Sequence, residues 1–182
     1  MEYFEKFYNS ALRFLSYRPR SEKEVRDKLK ILTKRHSGLS RIDSGVAVSE
    51  AERAPQNDII EKIIVKLKEK KFINDEEFAR MFVENRLRFK PRSLRLIKLE
   101  LKNKGIDDEI IERLVADRGS QTVGDLEQAK KLVEKKMGRF RNKFGMTREE
   151  IYQKLGRFLA SKGFNWDTIK KSIDYVYETK RS

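Results

Sequence analysis

An all-α fold, built as a tandem array of three three-helix repeats, is the architecture this sequence predicts. Three observations lead there. Helix-start signals recur along the whole chain, no segment alternates apolar and polar residues with period two, and two phrases return. "YRPRSEKEVRDKLK" from Tyr17 and "FKPRSLRLIKLELK" from Phe89 both read aromatic, base, Pro, Arg, Ser. An apolar pair four residues apart follows: Val25 and Leu29, or Ile97 and Leu101, with Ile151 and Leu155 as a fainter third copy. The other phrase is "IIEKII" at 59–64, "IIERLV" at 110–115 and "TIKKSI" at 168–173.

The elements follow in order from their caps. Ser21 precedes Glu24, Asp58 precedes Glu61, Asn74 precedes Glu77, Asp125 precedes Gln128 and Thr147 precedes Glu150. Each pair suits a capping box or a close relative, in which a short polar side chain satisfies orphan N–H groups and the acid or amide reaches back. Ser93, Asp107 and Asn165 are caps without the second partner. With the N-terminal segment these give helices over 2–17, 21–33, 58–71, 75–89, 93–104, 108–117, 125–143, 147–161 and 165–178. They group into repeats over 1–73, 74–118 and 119–182. Between the second and third repeats the two phrases drift by four residues, about one turn, so the eighth helix should be one turn longer than the fifth.

Each helix carries one apolar stripe. Ile59, Ile60, Ile63, Ile64 and Leu67 fall within an arc of about 140° at 100° per residue. Trp166 shares an arc with Ile169, Ile173 and Tyr177, and is expected in the core; Phe140 and Phe144 continue the stripe of Ala129, Val133 and Met137. Tyr175 points away from the apolar face of its helix. Arg86 falls on an apolar face, where pairing with a nearby acid or snorkelling would accommodate it. The stretch 34–57, "KRHSGLSRIDSGVAVSEAERAPQN", is rich in turn residues without sustained periodicity, and reads as a long mobile loop inserted in the first repeat.

Composition narrows the chemistry. Lys and Arg number 43 against 29 Asp and Glu, a net charge of +14, which favours polyanionic partners such as single- or double-stranded DNA, or an anionic membrane surface. No apolar run approaches the roughly 20 residues of a membrane span, and the start resembles no signal peptide. With no Cys, a cytoplasmic protein without disulfides, metal or cofactor is expected. The single His36 lies in the insert without a second ligand. The pairs Glu76/Glu77, Asp107/Asp108 and Glu149/Glu150 all sit in first helical turns, where the helix dipole favours acids, so no catalytic centre is expected. No sustained heptad seam is present, and a monomer is the expectation.

Two basic clusters remain. Between 86 and 104 eight bases face Glu100 alone, and Arg95, Lys98 and Lys102 share an arc apart from the buried stripe, with Arg92 at its edge. Between 130 and 148 eight more face Glu134. Packed like charges repel and gain nothing for folding, whereas binding phosphates releases counterions. The nucleic-acid or filament contacts expected are Arg18, Arg20, Arg88, Lys90, Arg92, Arg95, Lys98, Lys102, Lys135, Lys136, Arg139, Arg141 and Lys143.

The phrases resemble the RecX family of bacterial recombinase regulators. The resemblance rests on "ALRFLSYRPRSEKEVRDKL" (11–29), "KKFINDEEFARMFVENRLR" (70–88), "KPRSLRLIKLELKNKGIDDEIIERLV" (90–115) and the fainter "KLGRFLASKGFNWDTIKKSID" (154–174). The insert at 34–57 is the departure, where the family has a short link. The resemblance implies that the three-helix repeats form an elongated, curved molecule, and it implies a partner, RecA and its nucleoprotein filament. It also implies an activity: restraint of RecA's ATPase, strand exchange and coprotease functions in DNA repair, recombination and the SOS response. It carries no catalytic residue over. A general helical DNA-binding or architectural protein without RecA specificity is the alternative.

Overall fold

The structure is a computed structural model that describes residues 2–36, 50–116, 121–141 and 147–179; at 2, 36, 50–56, 121–123 and 139–141 it describes the backbone alone. Every regular element in these residues is an α-helix: α1 (Glu2–Ser16), α2 (Glu22–His36), α3 (Glu50–Glu69), α4 (Asp75–Phe89), α5 (Leu94–Asn103), α6 (Asp108–Ala116), α7 (Gln121–Arg141), α8 (Arg148–Ser161) and α9 (Trp166–Thr179). The fold is all-α. α8 has 14 residues and α5 has 10, the extra turn the drifting phrases predict.

The chain divides into two compact units. One comprises Met1–Phe78 with Lys104–Ile106, the other Ala79–Asn103 with Asp107–Ser182. In the first, α1, α2 and α3 enclose Phe7, Tyr8, Ala11, Val25, Leu29, Ile60, Ile63, Ile64, Leu67 and Ile73. Arg26 clasps Glu22 on its own helix through Nε at 2.6 Å and Glu61 on α3 with both terminal guanidinium nitrogens. In the second, α5 lies against α6 and α7, and α7, α8 and α9 pack on one another. Their core contains Ala129, Val133, Met137, Leu155, Leu159, Phe164, Ile169, Ile173 and Val176.

Several helix starts fall where the caps place them. Ser21 and Glu24 exchange both capping-box bonds at 3.3 Å. Thr147 and Glu150 complete another box. Asn74 accepts the amides of Glu76 and Glu77, Asp107 that of Glu109, Asn165 that of Thr168, and Ser93 that of Leu96.

Two expected caps lie inside helices rather than at their starts. Asp58 lies inside α3, which begins eight residues earlier at Glu50, and α2 continues to His36. Residues 34–36 and 50–57 of the insert are therefore helical where the sequence predicts a loop, because Lys, Arg, Ala, Glu and Gln propagate a helix without any apolar stripe; the remainder of the insert, 37–49, lies outside the described residues. Asp125 lies inside α7, and its carboxylate accepts the Leu94 amide at the start of α5 at 2.8 Å. Asp75 of α4 does the same for the Glu22 amide of α2, also at 2.8 Å. A helix start that its own serine caps is thus capped again by an aspartate from another helix, once in each unit.

The α9 stripe is rotated from its expected position. Trp166 is 65% exposed, whereas Thr168, Ile169, Ser172, Ile173 and Val176 are buried. Trp166 lies about 90° from the centre of that arc at 100° per residue. Small Thr168 and Ser172 let the backbone of α9 approach its neighbours, and the Ser172 hydroxyl is satisfied by the Ile169 carbonyl at 2.9 Å. A reading weighted by hydrophobicity passes over such residues. Tyr175 is exposed as expected, with the Lys130 ammonium 3.8 Å above its ring. Phe140 and Phe144 are expected core residues whose side chains lie outside the described ones.

Two measurements follow. Leu101 is fully buried, so Leu101→Ala should cost about 2–5 kcal/mol in urea unfolding, while exposed Lys102→Ala leaves the midpoint in place. Burial pushes the Asp125 carboxyl up, opposed by the Leu94 amide. A raised carboxyl stabilises fully below its unfolded pKa, and that contribution is lost as pH rises through the folded value. Asp125→Asn, which keeps the accepting oxygen, should therefore melt at the parent's temperature or higher at pH 7, whereas Asp125→Ala should lose about 1 kcal/mol.

Candidate nucleic-acid interface

The second unit contains a cleft of about 290 Å³ in which the two basic clusters meet. The turn after α4 supplies Phe89, Lys90, Pro91 and Arg92; α7 supplies Leu132, Lys135 and Lys136; and α8 and its terminus supply Phe158 and Lys162. Five cations line it, and no carboxylate is among the lining residues.

Local sequence makes this arrangement. Pro91 cannot continue α4 and biases Lys90 toward extended backbone, so the chain breaks before Ser93 restarts it as α5. Ser93 is fully buried, and its amide donates to the Lys162 carbonyl at 3.0 Å, which fastens the end of α8 against the Pro–Arg–Ser turn. Gly163 permits that fit. It adopts φ +85°, and a Cβ there would stand 2.7 Å from the Ser93 hydroxyl and 2.9 Å from Leu96 Cβ. The glycine closes α8 by donating to the Ala160 carbonyl at 2.9 Å, while the Phe164 amide reaches Leu159 at 3.3 Å.

The cations differ in what they already hold. Arg92 shares Glu100 with Arg86, whose Nε is 2.7 Å from that carboxylate. Arg86 also lies 4.6 Å over the Phe82 ring, which settles its place on an apolar face by pairing and stacking together. Lys90, Lys135, Lys136 and Lys162 have no carboxylate within 4.0 Å among the described residues. Lys136 and Lys162 instead hold the Phe158 ring at 4.8 and 5.6 Å. Phe89 is 67% exposed, with Arg88 5.2 Å over it. Phe158 is thus engaged by ammonium groups, and the chemistry left to the cleft is chiefly positive charge held on an apolar floor.

The other expected contacts divide. Lys98 is bound to Glu112 of α6 at 2.8 Å and Lys102 to Asp108 at 2.8 Å, so both close a helix–helix seam. The Lys102 ammonium is held more tightly to its proton by the Asp108 carboxylate. Exposed Arg95 has no acidic partner within 4.0 Å among the described residues. Arg18 and Arg20 belong to the first unit, where both meet Glu24. The side chains of Arg139 and Arg141, and Lys143 altogether, lie outside the described residues. Lys162, Phe158 and Leu132 were missed by cluster counting. The signal for Lys162 was available, because "NKGI" at 103–106 and "SKGF" at 161–164 are copies of one turn.

Among the described residues no group of three His, Cys, Asp or Glu could hold a metal ion, and no helix is long and apolar enough to cross a membrane.

Comparison with known proteins agrees with this internal repetition. The family model for the second three-helix domain of RecX matches residues 74–114, that for the third matches 124–173, and that for the first matches 8–31. The chain is 33% identical over 174 residues to regulatory protein RecX of Bacillus pumilus, covering 96% of this chain and 56% of that protein. It is 34% identical over 170 residues to regulatory protein RecX of Clostridium perfringens, covering 93% and 68%. The chain therefore spans little more than half the length of the first of these relatives. The crystal structure of RecX from Lactobacillus salivarius superimposes with a TM-score of 0.64 at 30% identity, over 94% of this chain and 95% of that one. By sequence, by its three repeated domains and by fold, the chain belongs to the RecX family of regulatory proteins.

Proposed function

We infer that the chain is a non-catalytic regulator that binds RecA and its nucleoprotein filament and restrains ATP hydrolysis, strand exchange and coprotease activity. It would act as a cytoplasmic monomer in repair, recombination and the SOS response. RecA enters through the family likeness, and the relatives' description as regulatory proteins supports a role without turnover. The observation that carries the polyanion part is the cleft of the second unit, where cations from three separate segments converge without a lining acid. Four of the five have no carboxylate within 4.0 Å among the described residues, so their charge is available to phosphates, and binding would release counterions.

The same cleft also supports the second reading, a DNA-binding protein indifferent to RecA. Engaged by lysines, Phe158 is poorly placed to stack on bases, which favours contact with the sugar–phosphate backbone and tolerance of sequence under either reading.

Two experiments test these readings. Saturating protein added to preformed RecA filaments on single-stranded DNA should slow ATP hydrolysis; an unchanged rate rejects the RecA reading and leaves the DNA-binding one. Converting Lys90, Lys135 and Lys136 together to Gln should reduce the slope of log affinity against log salt for single-stranded DNA by about 2, at roughly 0.7 per phosphate. A slope equal to the parent's rejects the cleft.

A further inference from the structure

The first unit repeats the construction of the cleft, and the reading above makes no use of it. Tyr17, Arg18, Pro19, Arg20 and Ser21 stand where Phe89, Lys90, Pro91, Arg92 and Ser93 stand in the second unit. Each turn is closed by a lysine that precedes a left-handed glycine. Ser21 Oγ donates to the Lys104 carbonyl at 2.7 Å, as the Ser93 amide does to Lys162. Gly105, at φ +77°, lies against Lys23 as Gly163 lies against Ser93 and Leu96.

Arg20 and Arg92 also share a defect. The Nε of each is buried without a hydrogen-bond partner, and these are two of three such side-chain atoms among the described residues. Native structures rarely leave a buried donor unpaired, and an equivalent exception in two copies of one turn calls for a cause. An arginine that re-aims its Nε–Nη edge toward an oxyanion would lose the defect, since phosphate accepts that fork bidentately.

Arg20 shares its nearest acid with two other cations. Arg18 Nη2 lies 2.9 Å, Lys104 Nζ 3.0 Å and Arg20 Nη1 3.9 Å from one atom, Glu24 Oε1. The Glu24 carboxylate is thus met by three cations, with the Asp75 and Glu22 carboxylates near enough to be felt electrostatically. Burial, together with the charge of Arg18, lowers the pKa of Arg20. Burial pushes the Glu24 carboxyl up, but hydrogen bonds from Lys104, Arg18 and the Ser21 amide outweigh it and hold the group below the usual range. The repeat places apolar Leu96 at the position of Glu24 in the second unit, where the cleft has no lining acid.

We propose that Arg18, Arg20 and Lys104 form a second seat for a nucleic-acid phosphodiester, in which the Glu24 carboxylate stands in for phosphate until the polymer displaces it. This extends the polyanion reading of the cleft to the first unit and requires no RecA. Glu24→Gln separates the two roles of that residue. A glutamine at the third helical position still accepts the Ser21 amide and preserves the capping box, but it no longer neutralises the cations.

Binding of a labelled single-stranded oligonucleotide to the full chain is followed by anisotropy across a salt series. Glu24→Gln should bind three- to tenfold tighter with a slope steeper by about 0.7–1.4, one or two further phosphates. Adding Arg18→Gln should return both values to the parent's. The same gain is expected on the triple cleft variant, so a failed cleft and a failed seat give different results. Affinity equal to or below the parent's, with an unchanged circular dichroism spectrum, overturns the seat. So does displacement of the oligonucleotide by inorganic tripolyphosphate as effective, per phosphate, as unlabelled oligonucleotide, which assigns the site to small anions. Should Glu24→Gln fail to fold, Arg18→Gln alone decides: a shallower slope supports the seat, and an unchanged one rejects it.

Discussion

A buried serine at the start of a helix, pressed against a lysine–glycine turn from elsewhere in the chain, is the contact on which both units are organised. Ser21 and Ser93 are fully buried. A hydroxyl there is tolerable only because all its obligations are met: it caps its own helix, and the residue it belongs to also hydrogen-bonds the incoming carbonyl. The glycines make such proximity possible, since a side chain at either would overlap the docked turn and their backbones are left-handed. Pro and Arg before the serine then have fixed positions. Pro stops the preceding helix, and Arg lies against whatever the neighbouring helix offers, Phe14 at 4.0 Å in one unit and Glu100 in the other.

The electrostatics follow from that geometry. A net charge of +14 does not distribute itself as a uniform coat. Lys98 and Lys102 serve the seam between α5 and α6, and Arg26 serves the seam between α2 and α3. Such partly exposed pairs add little to stability individually, but they remove those cations from the account of what binds a partner. Among the described residues, Lys90, Lys135, Lys136 and Lys162 have no acid to hold and line the cleft between the Pro–Arg–Ser turn, α7 and the end of α8.

Much of this was legible in the sequence, for identifiable reasons. Ser21, Asn74, Ser93 and Thr147 carry strong local signals, because a cap is chemistry between residues two or three apart. The stripes of α2, α5 and α7 obey their periodicity, and the added turn of α8 was encoded in the drift between phrases. What failed was information carried at long range. Asp125 looks like any N-cap, and only the packing of α7 on α5 reveals which helix it caps. Trp166 looks like core until small Thr168 and Ser172 decide which face of α9 is covered. The arc of Arg95, Lys98 and Lys102 was correct as geometry but incomplete as electrostatics, since Glu112 and Asp108 come from the next helix. The convergence of Lys90 with Lys135, Lys136 and Lys162 joins segments that no local window spans.

The crossed cap on α5 bears on autonomy. Asp125, which satisfies the Leu94 amide, and Lys162, which receives the Ser93 amide, both lie downstream of the 74–118 segment. Excised alone, that segment would keep its apolar stripes yet present two orphan donors at the beginning of its central helix. Its ordering is therefore contingent on α7 and α8 having arrived, and an array that looks modular along the chain is, at this junction, assembled as one cooperative piece.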